Sequence, residues 1–214
     1  MMNKYTKIRL DFKYGPKNRF YRTILVKGNP DLFKLCVSFA TSLGATFEHC
    51  FLIRCKDKIE YVMAAFMQEP IRGYRYLRKY HLSDLPDSFS FEYDTGDGWD
   101  FQCKKYKKEV ENKSNTDLVL LEGQGQGIWE DNIVSLYALF NGEMSPDFDG
   151  EDEEKGIFKP WNFVISKYSD FDLPLNIEEI NESLSDDFEA NYQEMLLHEK
   201  DYIKQNKVCL EDYL

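Results

Sequence analysis

The sequence predicts an α+β protein: a largely antiparallel β-sheet, a helix packed on it from the N-terminal half, and helices at the C-terminus. Three observations carry this. Apolar and polar residues alternate with period two along the first half, most clearly at Phe89, Phe91 and Tyr93. Turn residues join these runs as hairpins, which favours antiparallel pairing. Aromatics make up 15% of the chain, mainly Tyr and Phe, and they suit half-buried sheet surfaces.

Thr6 to Phe12 places Ile8, Leu10 and Phe12 on one face, as a half-buried strand does. Gly15-Pro16-Lys17-Asn18 breaks it, and Phe20 to Val26 reads as its hairpin partner. Asn29-Pro30 opens a helix over 30–43, with Asn29 as the expected cap and Gly44 as a left-handed stop. Thr46 to Ile53 and Ile59 to Met67 read as strands around a polar turn. Arg72 to Tyr80 shows no clear period, and Leu82 to Pro86 reads as a short helical turn. Phe89 to Tyr93 and Trp99 to Cys103 form a hairpin about Thr95-Gly96-Asp97-Gly98, where Asp-Gly takes the positive φ such turns need. Lysines at 104, 105, 107 and 108 would keep the end of that strand from pairing as an edge. Asp117 to Leu121 reads as a short strand, 122–127 as a glycine-rich loop, and Glu130 to Phe140 as a helix. Residues 143–156 read as an exposed acidic loop, Ile177 to Leu184 as a short helix, and 188–206 as a polar amphipathic helix. The expected division is an α+β domain over 1–184 and an acidic helical tail over 185–214.

The 214 residues suffice for a sizeable core, and 43% hydrophobic with 30% charged residues is ordinary globular composition. No run of about 18 apolar residues occurs, and the first residues lack the apolar stretch of a signal peptide. The expectation is a cytoplasmic protein that does not engage a membrane. Five cysteines without paired spacing fit reduced core thiols better than a disulfide framework. The net charge of −11 is uneven: residues 143–156 carry −6, residues 185–214 carry −5, and residues 1–27 carry +7. The acidic tail is a candidate contact for another protein. The basic residues Lys7, Arg9, Lys13, Lys17, Arg19 and Arg22, with Tyr14, Phe20 and Tyr21 among them, are expected on the outer face of the hairpin. That combination suits nucleic acid, with Lys7, Arg9, Arg19 and Arg22 as the candidate contacts. The simpler reading is that these cations solvate the face or pair with the chain's own acids.

Glu92 to Asp100 is the densest polar cluster, and carboxylates around one turn can hold a hard cation. The calcium-loop spacing is absent here and at Asp147-Phe148-Asp149-Gly150, and a well-made turn accounts for the same residues. The glycines at 123, 125 and 127 lack the Lys-Ser/Thr of a P-loop and the dinucleotide spacing. His49 with Cys50 and Cys55 would need a fourth ligand to hold zinc. No metal, nucleotide or other cofactor is assigned by spacing.

The stretch Phe91-Glu92-Tyr93-Asp94-Thr95-Gly96-Asp97-Gly98-Trp99 resembles the Y-x-Y-D-F-G-D-x-W hallmark of the plasmid pRiA4b ORF-3-like family, whose members are also described as TnpR-type passengers of insertion elements. Further landmarks agree in order over residues 5–184. Phe47 to Phe51 is similar to its H-x-F strand, and Leu82-Ser83-Asp84-Leu85 precedes the hallmark. Leu121-Glu122-Gly123 with Trp129-Glu130-Asp131 is similar to its later G-x-G…P-P-E-D region, and Phe171-Asp172 with Ile177 to Leu184 to its close. Thr95 stands for the usual Phe, Phe101 for a His, and Ile128, Trp129 and Asn132 for the Pro-Pro and Cys. The resemblance implies an α+β domain, a cytoplasmic setting and an association with mobile elements. It implies no reaction. Two functions follow as expectations. The first is a non-enzymatic binding module. The second is a metal-dependent, hydrolase-like site using Asp94, Asp97, Glu122, Glu130 and Asp131, if these converge. His49, Tyr93 and Trp99 complete the binding candidates.

Overall fold

In the computed structural model, which describes residues 3–68, 71–143 and 171–210, nine strands form one sheet. β1 (Asn3–Phe12) and β2 (Tyr21–Lys27) make the expected hairpin, with Ile8 opposite Ile24. β3 (Phe51–Arg54) and β4 (Glu60–Val62) are short, and β5 (Tyr74–Tyr76) lies parallel to β4. β6 (Ser88–Tyr93) and β7 (Trp99–Lys105) form the second hairpin. β8 (Val110–Asn112) pairs with β1, and β9 (Leu118–Gln124) pairs with β2. The strand order is β5-β4-β3-β6-β7-β1-β2-β9. All pairings except β4 with β5 are antiparallel.

α1 (Leu32–Leu43) packs on the sheet because Phe33, Cys36, Val37 and Ala40 face Ile8, Leu10 and Ile24 in one core. Phe39 meets the rings of Phe89 and Phe91. Burying such side chains is worth roughly 1.5–3 kcal/mol each. Gly44 stops the helix at φ 77°, as expected. The cap is Asp31 rather than Asn29: Asp31 Oδ1 accepts from Lys34 N at 2.8 Å. Asn29 instead exchanges hydrogen bonds with Ser83.

Several expected elements shift. The strand expected over 46–53 starts at Phe51, and that expected over 59–67 ends at Val62 and gives way to a 3-10 turn at Ala64–Phe66. The loop expected from Glu122 is strand through Gln124, because its backbone pairs with Tyr21 to Thr23. The helix expected from Glu130 is α2 (Ile133–Asn141). Two expected C-terminal helices are one, α3 (Ile177–Asn206), which buries Ile180, Leu184, Phe188 and Met195. β7 lies inside the sheet, so its lysines guard no edge; Lys105 Nζ donates to Leu82 O at 3.0 Å and to Leu85 O. Arg22 points inward and is 0% exposed, so the outward basic cluster loses it. The five cysteines are free, and burial raises the Cys36 and Cys103 thiols. Most of the acidic stretch 143–156 lies outside the described residues. No helix among the described residues is long and apolar enough to cross a membrane.

Candidate metal centre

The ends of β6 and β3 and the segment before α2 meet at one point. Asp94 follows β6 at φ 52° and ties the hairpin turn: its Oδ1 accepts from Gly96 N at 3.1 Å and from Asp97 N at 3.2 Å. Gly98 N donates to Asp94 O, and Gly98 takes φ 79°. Asp94 N donates to Cys50 O at 2.9 Å, which holds His49 beside the turn. Trp99 is fully buried and anchors the returning strand.

The third contributor is the 128–132 segment. Ile128 N donates to Leu43 O at 2.9 Å, and buried Trp129 packs edge-on against Phe171. These anchors set Glu130 and Asp131 against the turn. Glu130 Oε1 accepts from Tyr93 Oη at 2.9 Å and from Thr46 N at 2.7 Å. His49 then lies among three carboxylates. Its Nδ1 is 3.5 Å from Asp94 Oδ1, and its Nε2 is 3.7 Å from Glu130 Oε2 and 3.2 Å from Asp131 Oδ1. The ring stands edge-on to Tyr93.

The electrostatics of this point are unusual. Asp94 is 3% exposed, yet its Oδ2 has no hydrogen-bond partner, nor do the buried His49 Nε2 and Glu130 Oε2. His49 meets the carboxylates only in ion-pair contacts of 3.2–3.7 Å, and buried charges without good hydrogen bonds cost several kcal/mol. Burial raises the Glu130 carboxyl, against the opposing pull of the Thr46 N–H. Burial also pushes the Tyr93 phenol well up, so it stays a donor to Glu130. Donor atoms of His49, Asp94 and Glu130 all lie within 4.8 Å of one another. Ligands about 2.0–2.2 Å from one ion fall at such separations. A second, more exposed trio of Glu48, His49 and Asp131 overlaps the first. Beside them lies an open cleft of about 450 Å³, walled by His49, Asp94, Asp97, Asp131 and Phe66.

The sequence-derived candidates divide accordingly. Asp94, Glu130, Asp131, His49 and Tyr93 come together. Asp97 lines the cleft, but its Oδ2 accepts from Ile133 N at 3.2 Å and starts α2. Glu122 is elsewhere, accepting from Thr23 Oγ1 at 3.0 Å on the sheet. Glu92 pairs with Arg54, and Asp100 with Lys13. Among the described residues no metal-ligating group includes Cys50 or Cys55. Glu48 and Thr46 lie outside the sequence candidates; adjacency to His49 signals Glu48, whereas Thr46 contributes only a backbone N–H. Of the basic candidates, Arg19 pairs through two hydrogen bonds with Asp172, Arg9 through three with Asp11, and Arg22 is internal.

The model of the plasmid pRiA4b ORF-3-like proteins matches residues 5–174, which include every residue of this centre. The chain belongs to the plasmid pRiA4b ORF-3-like family. Among solved structures, it is similar to the crystal structure of MM3350, a protein of unknown function from Methanosarcina mazei Go1. The likeness has 16% identity and a TM-score of 0.53, and covers 72% of this chain and 88% of that one. At that identity the two share a fold. A comparison with curated proteins finds no match. The family-like hallmark thus supplies Tyr93, Asp94 and Trp99, and the second family-like segment supplies Glu130 and Asp131.

Proposed function

We propose that this pRiA4b ORF-3-like chain is a divalent-metal-binding protein whose centre suits metal-assisted hydrolysis. His49, Asp94 and Glu130 are the ligands. The observation that carries this is that ligand atoms of these three residues lie within 4.8 Å of one another, while each residue also has a buried side-chain atom that makes no hydrogen bond. A cation there would take one ligand atom from each. One imidazole nitrogen with two carboxylates favours Zn²⁺, Mn²⁺ or another first-row ion over Ca²⁺, which prefers oxygen throughout. Tyr93 and Thr46 would orient Glu130, as outer partners do for ligands. The cleft leaves one side of the centre for water and substrate, which metal-assisted hydrolysis needs. A role tied to mobile elements has the family's plasmid name behind it and no feature of this centre.

Calorimetric titration of metal-stripped protein with Zn²⁺, Mn²⁺ and Ca²⁺ tests the proposal. One ion per chain should bind, Zn²⁺ or Mn²⁺ ahead of Ca²⁺, and His49→Ala or Asp94→Asn should weaken it at least tenfold. If wild type binds none of the three, the cluster is an ordinary His–carboxylate ion network. Should the metal bind but chelation leave hydrolysis of activated carboxylic and phosphate esters unchanged, the binding reading stands and the hydrolytic one falls.

A further inference from the structure

A second surface is independent of the metal centre. Strand register places Lys104, Arg9 and Thr23 in one row across β7, β1 and β2, and Gln102, Asp11 and Tyr21 in the next. Tyr106 N donates to Lys7 O at 3.0 Å, which puts Tyr106 beside Lys7 in the row on the other side. These residues have the opposite parity to Ile8, Leu10 and Cys103, which face the core. They therefore share the outer face of the sheet. Gln102 and Lys104 are exposed, and Lys7, Arg9, Tyr21 and Tyr106 are half-buried.

The chemistry of this face is cationic and aromatic together. The Arg9 guanidinium lies 3.9 Å from the Tyr21 ring centre, clamped by Asp11. Lys7 and Lys104 both sit 5.2 Å from the Tyr106 ring centre. A groove of about 670 Å³ runs along it, walled by Arg9, Lys13, Lys17, Gln102 and Tyr106. Asp11 and Glu122 offset Arg9, and Asp100 offsets Lys13. Lys7, Lys17 and Lys104 have no ion-pair partner among the described residues. Three cations without an ion-pair partner among the described residues, near a tyrosine platform, stand out on a chain of net charge −11.

We infer that the outer face of β7-β1-β2 binds single-stranded nucleic acid, with Lys7, Lys17 and Lys104 on phosphates and Tyr106 and Tyr21 under bases. Charge complementarity selects a polyanion. The tyrosines select a strand whose bases are unpaired, because a duplex offers no free base face. This differs from a basic N-terminal hairpin: Arg19 and Arg22 drop out, and Lys104 and Tyr106 of the β7 end join.

The test is fluorescence anisotropy with labelled DNA and RNA single strands of about 15 nucleotides and a duplex of the same length. Measurements at about 50 and about 200 mM salt should show roughly a ten- to twentyfold loss of single-strand affinity, since three phosphate contacts give a slope near −2. Lys7→Glu, Lys17→Glu and Lys104→Glu combined should abolish binding while circular dichroism stays unchanged. Tyr106→Leu should weaken it about tenfold and leave the salt slope unaltered. A preference for DNA or RNA would identify the polymer, and either supports the inference. No binding at the lower salt, undiminished binding by the triple variant, or duplex bound as tightly as single strand would overturn it. Metal titration of the triple variant should match wild type, which separates this surface from the metal centre.

Discussion

Arg22 shows how much one side chain can hold. It is 0% exposed, and its guanidinium donates to Ser42 O, Tyr21 O, Gln124 O and Gly125 O at 2.8–2.9 Å. No carboxylate takes part. Burial lowers its pKa to about 9, so it remains charged at neutral pH. The planar fork ties the end of α1 to β2, β9 and the glycine turn after it. Arg22→Met should therefore cost about 3–5 kcal/mol in urea unfolding, because the charge-satisfying carbonyls lose their donor in a dry site. Arg22→Lys should recover little of this, since an ammonium cannot span four carbonyls with that geometry. A loss below about 1 kcal/mol for Arg22→Met would show that the carbonyls find other donors. The inward direction was legible: Phe20, Arg22, Ile24 and Val26 share one parity. Charge outweighed parity in the sequence reading, and parity was the better guide.

At the scale of elements, α3 decides more than its polar composition suggests. It presents Ile180, Leu184, Phe188 and Met195 to α1 and the sheet, and Asn181 exchanges two 2.8 Å hydrogen bonds with the backbone of Leu120 on β9. That side chain caps a sheet edge as a neighbouring strand would. Further along, Tyr202 and Ile203 pack on the cluster of Leu52, Val62 and Tyr76, and Glu199 accepts from Ala64 N at 2.7 Å. A chain ending at residue 184 should lose several kcal/mol of stability, because Phe188 and Met195 leave buried sites uncovered. An unchanged urea midpoint would mark residues 185–214 as a separable appendage. The helical spacing on both sides of 185 was readable from sequence. The join was hidden by Ser185-Asp186-Asp187, whose polarity looks like a break. No glycine or proline stands there, so nothing stops the helix.

For the whole molecule, a buried glutamate, Glu199, and a half-buried one, Glu130, make stability depend on pH. Burial raises the carboxyls of Glu130 and Glu199, each opposed by one backbone N–H. A carboxyl raised on folding stabilises the native state fully below its unfolded pKa, about 4.3, and that stabilisation is lost as pH rises through the folded value. Glu199→Gln keeps an acceptor for Ala64 N and removes the charge. It should raise Tm near pH 8 and make no difference near pH 4. A lower Tm near pH 8 would show that the charged form holds the 3-10 turn at Ala64–Phe66. The two hairpins, α1 with its Gly44 stop, and the turn at 95–98 were readable in sequence, because each rests on neighbours a few residues apart. Family membership was readable too, since the hallmark is one continuous stretch. The convergence of His49, Asp94 and Glu130 was not. Nothing local makes His49 approach Glu130: the strand order of the sheet, the Cys50–Asp94 backbone bond and the burial of Trp129 bring them together. Short-range chemistry wrote the elements into the sequence, whereas long-range packing alone chose which polar groups would meet.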